Sequence, residues 1–181
     1  NSTWSDWETY TTGKSWSLAS SHGTKTVYVQ FKDNAGNISD SVSDDIVLDN
    51  TAPTSTSISI NSADTYTKSA STNLTLSATD SLSGMYQMRF SNDNSTWSSW
   101  ETYAISKTGW ILSSSDGTKT VYAQFKDNAG NISSSTNDTI VLDTIAPTSV
   151  TDLVRTYYSS SNWPATITVN LSDATSGVLV A

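Results

Sequence analysis

The chain has 181 residues, 35% of them hydrophobic and 10% aromatic, with Ser and Thr together making up about a third. That suffices for one or two folded domains and is too aromatic for a disordered tail. A formal net charge of −8 argues against a nucleic-acid partner, and the absence of cysteine removes disulfide and thiol chemistry.

The chain opens on "NSTWSDWETY" (1–10), two tryptophans three residues apart. "TVYVQFK" (26–32) then alternates strictly, with Val27, Val29 and Phe31 on one face and Thr26, Tyr28, Gln30 and Lys32 on the other. Period two predicts a half-buried strand. "KDNAGNIS" (32–39) is a turn by composition, and "DDIVLD" (44–49) a short final strand. After "TAPT" (51–54), "NLTLSATD" (73–80) alternates with Leu74, Leu76 and Ala78 inward. "MYQMRFS" (85–91) is read with Tyr86, Met88 and Phe90 on one face and Gln87 and Arg89 on the other. "SNDNST" and "SSSDGT" are Gly-, Asn-, Asp- and Ser-rich turns of the kind hairpins require. No stretch carries a helical period.

The sequence then repeats itself. "NSTWSSWETY" (94–103) copies residues 1–10 at a shift of 94 − 1 = 93. "GTKTVYAQFKDNAGNIS" (117–133) copies 23–39, and "IVLDTIAPTS" (140–149) copies 46–55, both at a shift of 94. "ITVNLSDATSG" (167–177) echoes "LTLSATDSLSG" (74–84) at 93. The unit is therefore about 94 residues, the size of a β-sandwich rather than of a solenoid turn. Residues 54–147 form one complete unit. Residues 1–53 form the back part of a preceding one, and residues 148–181 the front part of a following one. Ala181 stands opposite Met88 and Asn1 opposite Asn94. Two readings follow. Either the chain is a window on a continuous array, or the two partial units complete each other between chains by donated strands.

Seven or so short strands per unit, with turns between them, predict an all-β fold of tandem Ig-like sandwiches. Pro53 and Pro147 sit in short linkers and stiffen them, so a semi-rigid rod is expected. The pattern W-S-x-W-E-x-Y, then D/H-G-T-K-T-V-Y-x-Q-F-K-D-N-A-G-N-I-S, then I-V-L-D-x-x-A-P-T resembles the bacterial and archaeal Ig-like (fibronectin III-like) repeats found in tandem in large surface and secreted proteins. The resemblance spans essentially the whole chain and is weaker after residue 150. It implies a prokaryotic cell-surface or secreted location. It also implies a spacing or display role, since such modules serve as stalks, sheaths, filaments or adhesin spacers.

Several side chains qualify as candidate sites. Asp80, Asp127 and Asn128 fall in loops at the pole where the chain comes into the complete sandwich, and Asp49 lies just before that linker. Four hard-oxygen side chains there would suit Ca²⁺ at a domain junction, with Asp143 and Asp173 beginning the same cluster at the next. The plainer reading is that these residues form turns and guard strand ends. No spacing matches a known calcium loop, and no cofactor is required. Exposed Trp97, Trp100, Tyr28 and Tyr122 would stack on sugar rings in a carbohydrate-binding accessory module of a secreted enzyme, the alternative function. Otherwise most of the tryptophans plug the core or cover edges. Asn-x-Ser/Thr sequons at Asn1, Asn37, Asn73, Asn94, Asn131, Asn137 and Asn170 are glycosylation candidates. His22 is the single histidine and its counterpart is Asp116. Asp44 and Asp45 point to opposite faces of a strand, so no acid–base pair forms. No catalysis is expected. The expected partners are neighbouring Ig-like domains, of the same chain or of adjacent subunits in a filament. Nucleic-acid binding and membrane insertion are not expected.

Overall fold

The computed structural model describes residues 3–147. Every regular element among them is a β-strand, as the period-two patterns predict. The chain divides into two compact units, with the boundary in the sequence between Asn50 and Thr51.

The first unit contains one hairpin. Strand β1 (Gly23–Val29) pairs antiparallel with β2 (Val42–Leu48), from Gly23↔Leu48 to Val29↔Val42. The loop beyond them is closed by a single bridge, Lys32↔Ile38. Inside it Asp33 accepts both the backbone N–H and the side-chain amide of Asn37, at 2.8 and 2.7 Å. Gly36 takes φ +92°, which a side chain would resist. Predicted inward residues remain open here, with Val29 42% and Phe31 50% exposed. The hairpin has no second sheet against it among the described residues, so alternation alone does not bury them.

The second unit is the complete sandwich. Its strands are β3 (Thr54–Ile60), β4 (Tyr66–Thr67), β5 (Ser71–Thr79), β6 (Met85–Ser91), β7 (Glu101–Thr102), β8 (Ser106–Ile111), β9 (Gly117–Asp127) and β10 (Thr136–Leu142). One sheet has the order β4-β10-β9-β6-β7 and the other β3-β5-β8. All pairs are antiparallel except the short β4–β10 contact, where Val141 and Leu142 lie beside Tyr66 and Thr67.

The core forms where the two inner faces meet. Leu74, Leu76 and Ala78 face Val121, Ala123 and Phe125, with Ile58, Ile60, Met88, Phe90, Ile140 and Leu142 around them. Phe90 and Phe125 are wholly buried, each contributing roughly 1.5–3 kcal/mol of apolar transfer. Trp110 tilts against Phe90 at 5.5 Å between ring centres, and Tyr103 meets Phe125 edge-on at 5.9 Å.

Strand β6 departs from the predicted alternation. Met88 and Phe90 point inward as expected, but Tyr86 is half exposed and Met85 packs toward the core. The β6–β9 register slips between Met85 and Gln87. A bulge there adds one residue to β6, and Tyr86 turns to the outer face.

Both ends of the sandwich are fixed by register. Thr54 pairs with Thr79, and Met85 with Asp127, so β3 starts at one pole, called here the near pole. Leu142 pairs with Gly117, so β10 ends at the opposite, far pole.

Candidate functional site

The near pole gathers three predicted residues, Asp80, Asp127 and Asn128. Asp80 follows the last residue of β5. One of its oxygens, Oδ1, accepts the backbone N–H groups of Leu82, Ser83 and Gly84 at 3.2, 2.9 and 2.8 Å. Three converging amides fix that carboxylate and shape the loop. Gly84 makes the turn at φ +74°. The Asn128 side chain then donates to the carbonyls of Ser83 and Gly84, at 2.7 and 3.2 Å, which stitches the two loops together.

Asp127 ends β9 and is fully buried. Its two oxygens accept the N–H and the side-chain amide of Asn131, both at 2.8 Å. One carboxylate oxygen each from Asp80 and Asp127 lie within 4.8 Å of one another. No Lys or Arg ion-pairs with either among the described residues. Two anionic oxygens so close repel, and amide dipoles offset only part of that repulsion. Such hard donors fit a divalent cation such as Ca²⁺.

Asp49 follows β2 in the first unit. Asp143, its repeat counterpart, stands at the far pole of the second unit, where its N–H donates to Thr67 and its Oδ1 accepts the N–H of Ile145. Close by, Asp116 Oδ1 accepts both the N–H and the hydroxyl of Thr144. Asp116 Oδ2 is buried with no hydrogen-bond partner among the described residues. Asp173 lies outside the described residues.

The aromatic candidates separate into two kinds. Trp110 belongs to the core edge, with its ring N–H donating to Asn92 Oδ1 at 3.0 Å. Trp97 and Trp100 instead share the outer face of the larger sheet. The Arg89 guanidinium lies 4.9 Å from the Trp97 ring centre and 4.5 Å from that of Trp100. Lys126 lies 4.3 Å from Trp100 and 5.9 Å from Tyr86. Arg89 is locked in turn by two bonds to Gln124 Oε1, at 3.0 and 2.6 Å. The result is a row of alternating rings and cations in which each cation attracts the ring quadrupoles beside it. In the first unit Lys32 lies 5.3 Å from Trp7, the same pairing one repeat earlier. Tyr28 is 52% exposed, whereas Tyr122 is only partly so.

Reading the sequence alone misses Arg89 as the organiser of this row. Its signal is a cation at an outward strand position beside a W-x-x-W pair, and the pairing that brings them together is set by the β6–β7 and β6–β9 registers.

The sequons differ in the same way. The side chains of Asn37 and Asn131 are donors to Asp33 and Asp127 within their loops. Asn73 and Asn137 are exposed on β5 and β10, and Asn94 is exposed at a turn with φ +58°. Asn1 and Asn170 lie outside the described residues.

No family model matches this chain, and no curated protein does. Solved structures similar to it include the following two. One is the crystal structure of the PKD1 domain of Vibrio anguillarum Epp, at 18% identity and TM-score 0.38, covering 52% of this chain and 98% of that one. The other is a tetra-tandem repeat in the extending region of a large adhesion protein. It shows 23% identity and TM-score 0.39, covering 73% of this chain and 35% of that one. Among the described residues the chain is all-β, a two-sheet sandwich with a separate hairpin before it.

Proposed function

We propose that this chain is a section of a tandem array that carries tension and spacing on the outside of a prokaryotic cell, as a stalk, sheath, filament or adhesin spacer, without catalysis. One observation carries this reading. The chain comes into the complete sandwich at Thr54 on the near pole and leaves it after Leu142 on the far pole. A pull along the array therefore runs along the strands. It loads the Val141 N–H to Thr65 and Asp143 N–H to Thr67 bonds in shear, so they must break together. The acidic, cysteine-free, Ser/Thr-rich composition supports the location.

Pulling single chains tests it. The complete domain should unfold in one step of about 300 Å, its chain length at ~3.4 Å per residue less its folded span. Gradual lengthening without a step would end the reading.

The near pole adds a second element to the proposal. Asp80, Asp127 and Asn128 supply oxygens for Ca²⁺, whose charge would relieve the carboxylate repulsion and stiffen that end. Millimolar Ca²⁺ should raise the melting temperature of the chain, and Asp80→Asn should abolish the increase. A melting temperature indifferent to Ca²⁺ would remove the metal and leave the array.

The carbohydrate-binding alternative draws on the partly exposed Trp97 and Trp100. It predicts glycan binding that Trp100→Ala abolishes.

A further inference from the structure

The chain is acidic, but its carboxylates are unevenly placed. In the complete sandwich Asp80 and Asp127 stand at the near pole, and Asp116 and Asp143 at the far pole. Asp64 and Asp93 lie in turns between strands. Glu101 is held by Lys107 at 2.6 Å, and Asp138 turns inward to accept the N–H of Ile60. The outer face of the β4-β10-β9-β6-β7 sheet is left with two cations, Arg89 and Lys126, and no carboxylate ion-pairs with either among the described residues.

Both cations lie against one ring, that of Trp100, at 4.5 and 4.3 Å from its centre. Two like charges brought so near repel, and the ring quadrupole offsets only part of that. Both also keep unused donors. Gln124 takes Arg89 through Nε and Nη2. That leaves Arg89 Nη1 and the whole Lys126 ammonium without a hydrogen-bond acceptor among the described residues. An anion over this face would use the donors and relieve the repulsion. A planar carboxylate suits the flat guanidinium best.

The neighbours indicate what carries that carboxylate. Tyr86 ends the row with a ring 49% exposed, and Trp97 is partly exposed beside Arg89. Such rings offer flat apolar faces to the C–H side of a sugar. Gln124 spends its oxygen on Arg89 and keeps its amide N–H groups for a hydroxyl, and Gln87, paired with Lys126, is also partly exposed. We propose that this face binds an acidic polysaccharide, with a sugar carboxylate on Arg89 and Lys126 and adjoining sugar rings on Tyr86 and Trp97. The inference rests on the carbohydrate-binding reading and is compatible with an array. The earlier copy repeats the device: Trp7, Gln30 and Lys32 correspond to Trp100, Gln124 and Lys126, and Lys32 lies over Trp7.

Fluorescence titration of the chain with oligogalacturonate, at low salt and in EDTA, tests it. The expected result is a saturable change in tryptophan emission that weakens as salt rises. The methyl-esterified oligomer keeps the sugar rings and loses the charge, and should bind about tenfold more weakly. Lys126→Gln should cost a similar factor, and Lys126→Arg should retain binding. Lys126→Gln removes no hydrogen bond from the domain, so its cooperative melting transition should persist. Equal binding of acid and ester would overturn the anion site and leave the carbohydrate reading standing. No binding of either form would overturn both and leave the row as a brace on the sheet. Binding unmoved by Lys126→Gln, or poly-glutamate binding as tightly as the oligogalacturonate, would also overturn the proposal.

Discussion

The Tyr103 hydroxyl holds both backbone groups of Ala78, accepting its N–H at 3.1 Å and donating to its carbonyl at 3.3 Å. Tyr103 lies just past β7 of one sheet and Ala78 on β5 of the other, so a single side chain pins the sandwich closed. Tyr103→Phe keeps the ring against Phe125 and strands two polar groups of a buried residue. The expected loss is about 1–3 kcal/mol, read as a lower urea midpoint at unchanged slope.

Two serines perform one task in the complete domain. Ser98 Oγ accepts the N–H of Phe90 and donates to the carbonyl of Ser99, and Ser133 does the same between Phe125 and Ser134. Each hydroxyl satisfies a core strand where direct pairing lapses. Ser133 is the more buried, so Ser133→Ala should cost more than Ser98→Ala, about 1–3 kcal/mol against about 1. Thermal melts of the two variants side by side would show the order.

Arg89→Lys preserves charge and should still be harmful. A lysine cannot make the forked contact to Gln124 while lying between Trp97 and Trp100. The expected effect is a red shift in tryptophan emission and a loss of about 1 kcal/mol, measured by fluorescence-detected unfolding.

Asp93 makes stability depend on acid. The N–H groups of Thr96 and Ser95, with the Ser91 hydroxyl, hold its carboxyl well below the usual carboxylate range. Its folded-state pKa is depressed, so its contribution is complete above the unfolded value near 4 and is lost as pH falls below that. Asp93→Asn should lower stability at neutral pH and flatten the slope below about pH 4. Denaturation midpoints across that range would check both effects.

Much of this architecture was legible from period and repeat. The strands β5 and β9 follow their alternation residue by residue, because both lie centrally between two faces of opposite character. Tyr86 was misread because a bulge is a two-strand property: the slip opposite Asp127 does not show in the sequence of β6 alone. The exposure of Phe31 follows from what covers a strand rather than from what the strand contains. At the near pole, the residue types and loop order placed Asp80, Asp127 and Asn128 together. The roles of Asn131 as a clasp and of Arg89 as a spacer between rings emerged only with the registers.

The near identity of β1 and β9 has a consequence for how the chain folds. Either strand could in principle accept β10, since the two differ little in sequence. Proximity decides between them. Pairing β9 with β10 closes the short connection 128–135, whereas pairing β1 with β10 would close 30–135. The difference in loop-closure entropy is about 2 kcal/mol in favour of the neighbour. A chain that copies itself so closely thus relies on tight hairpins, formed early, to keep each copy from borrowing its neighbour's strand.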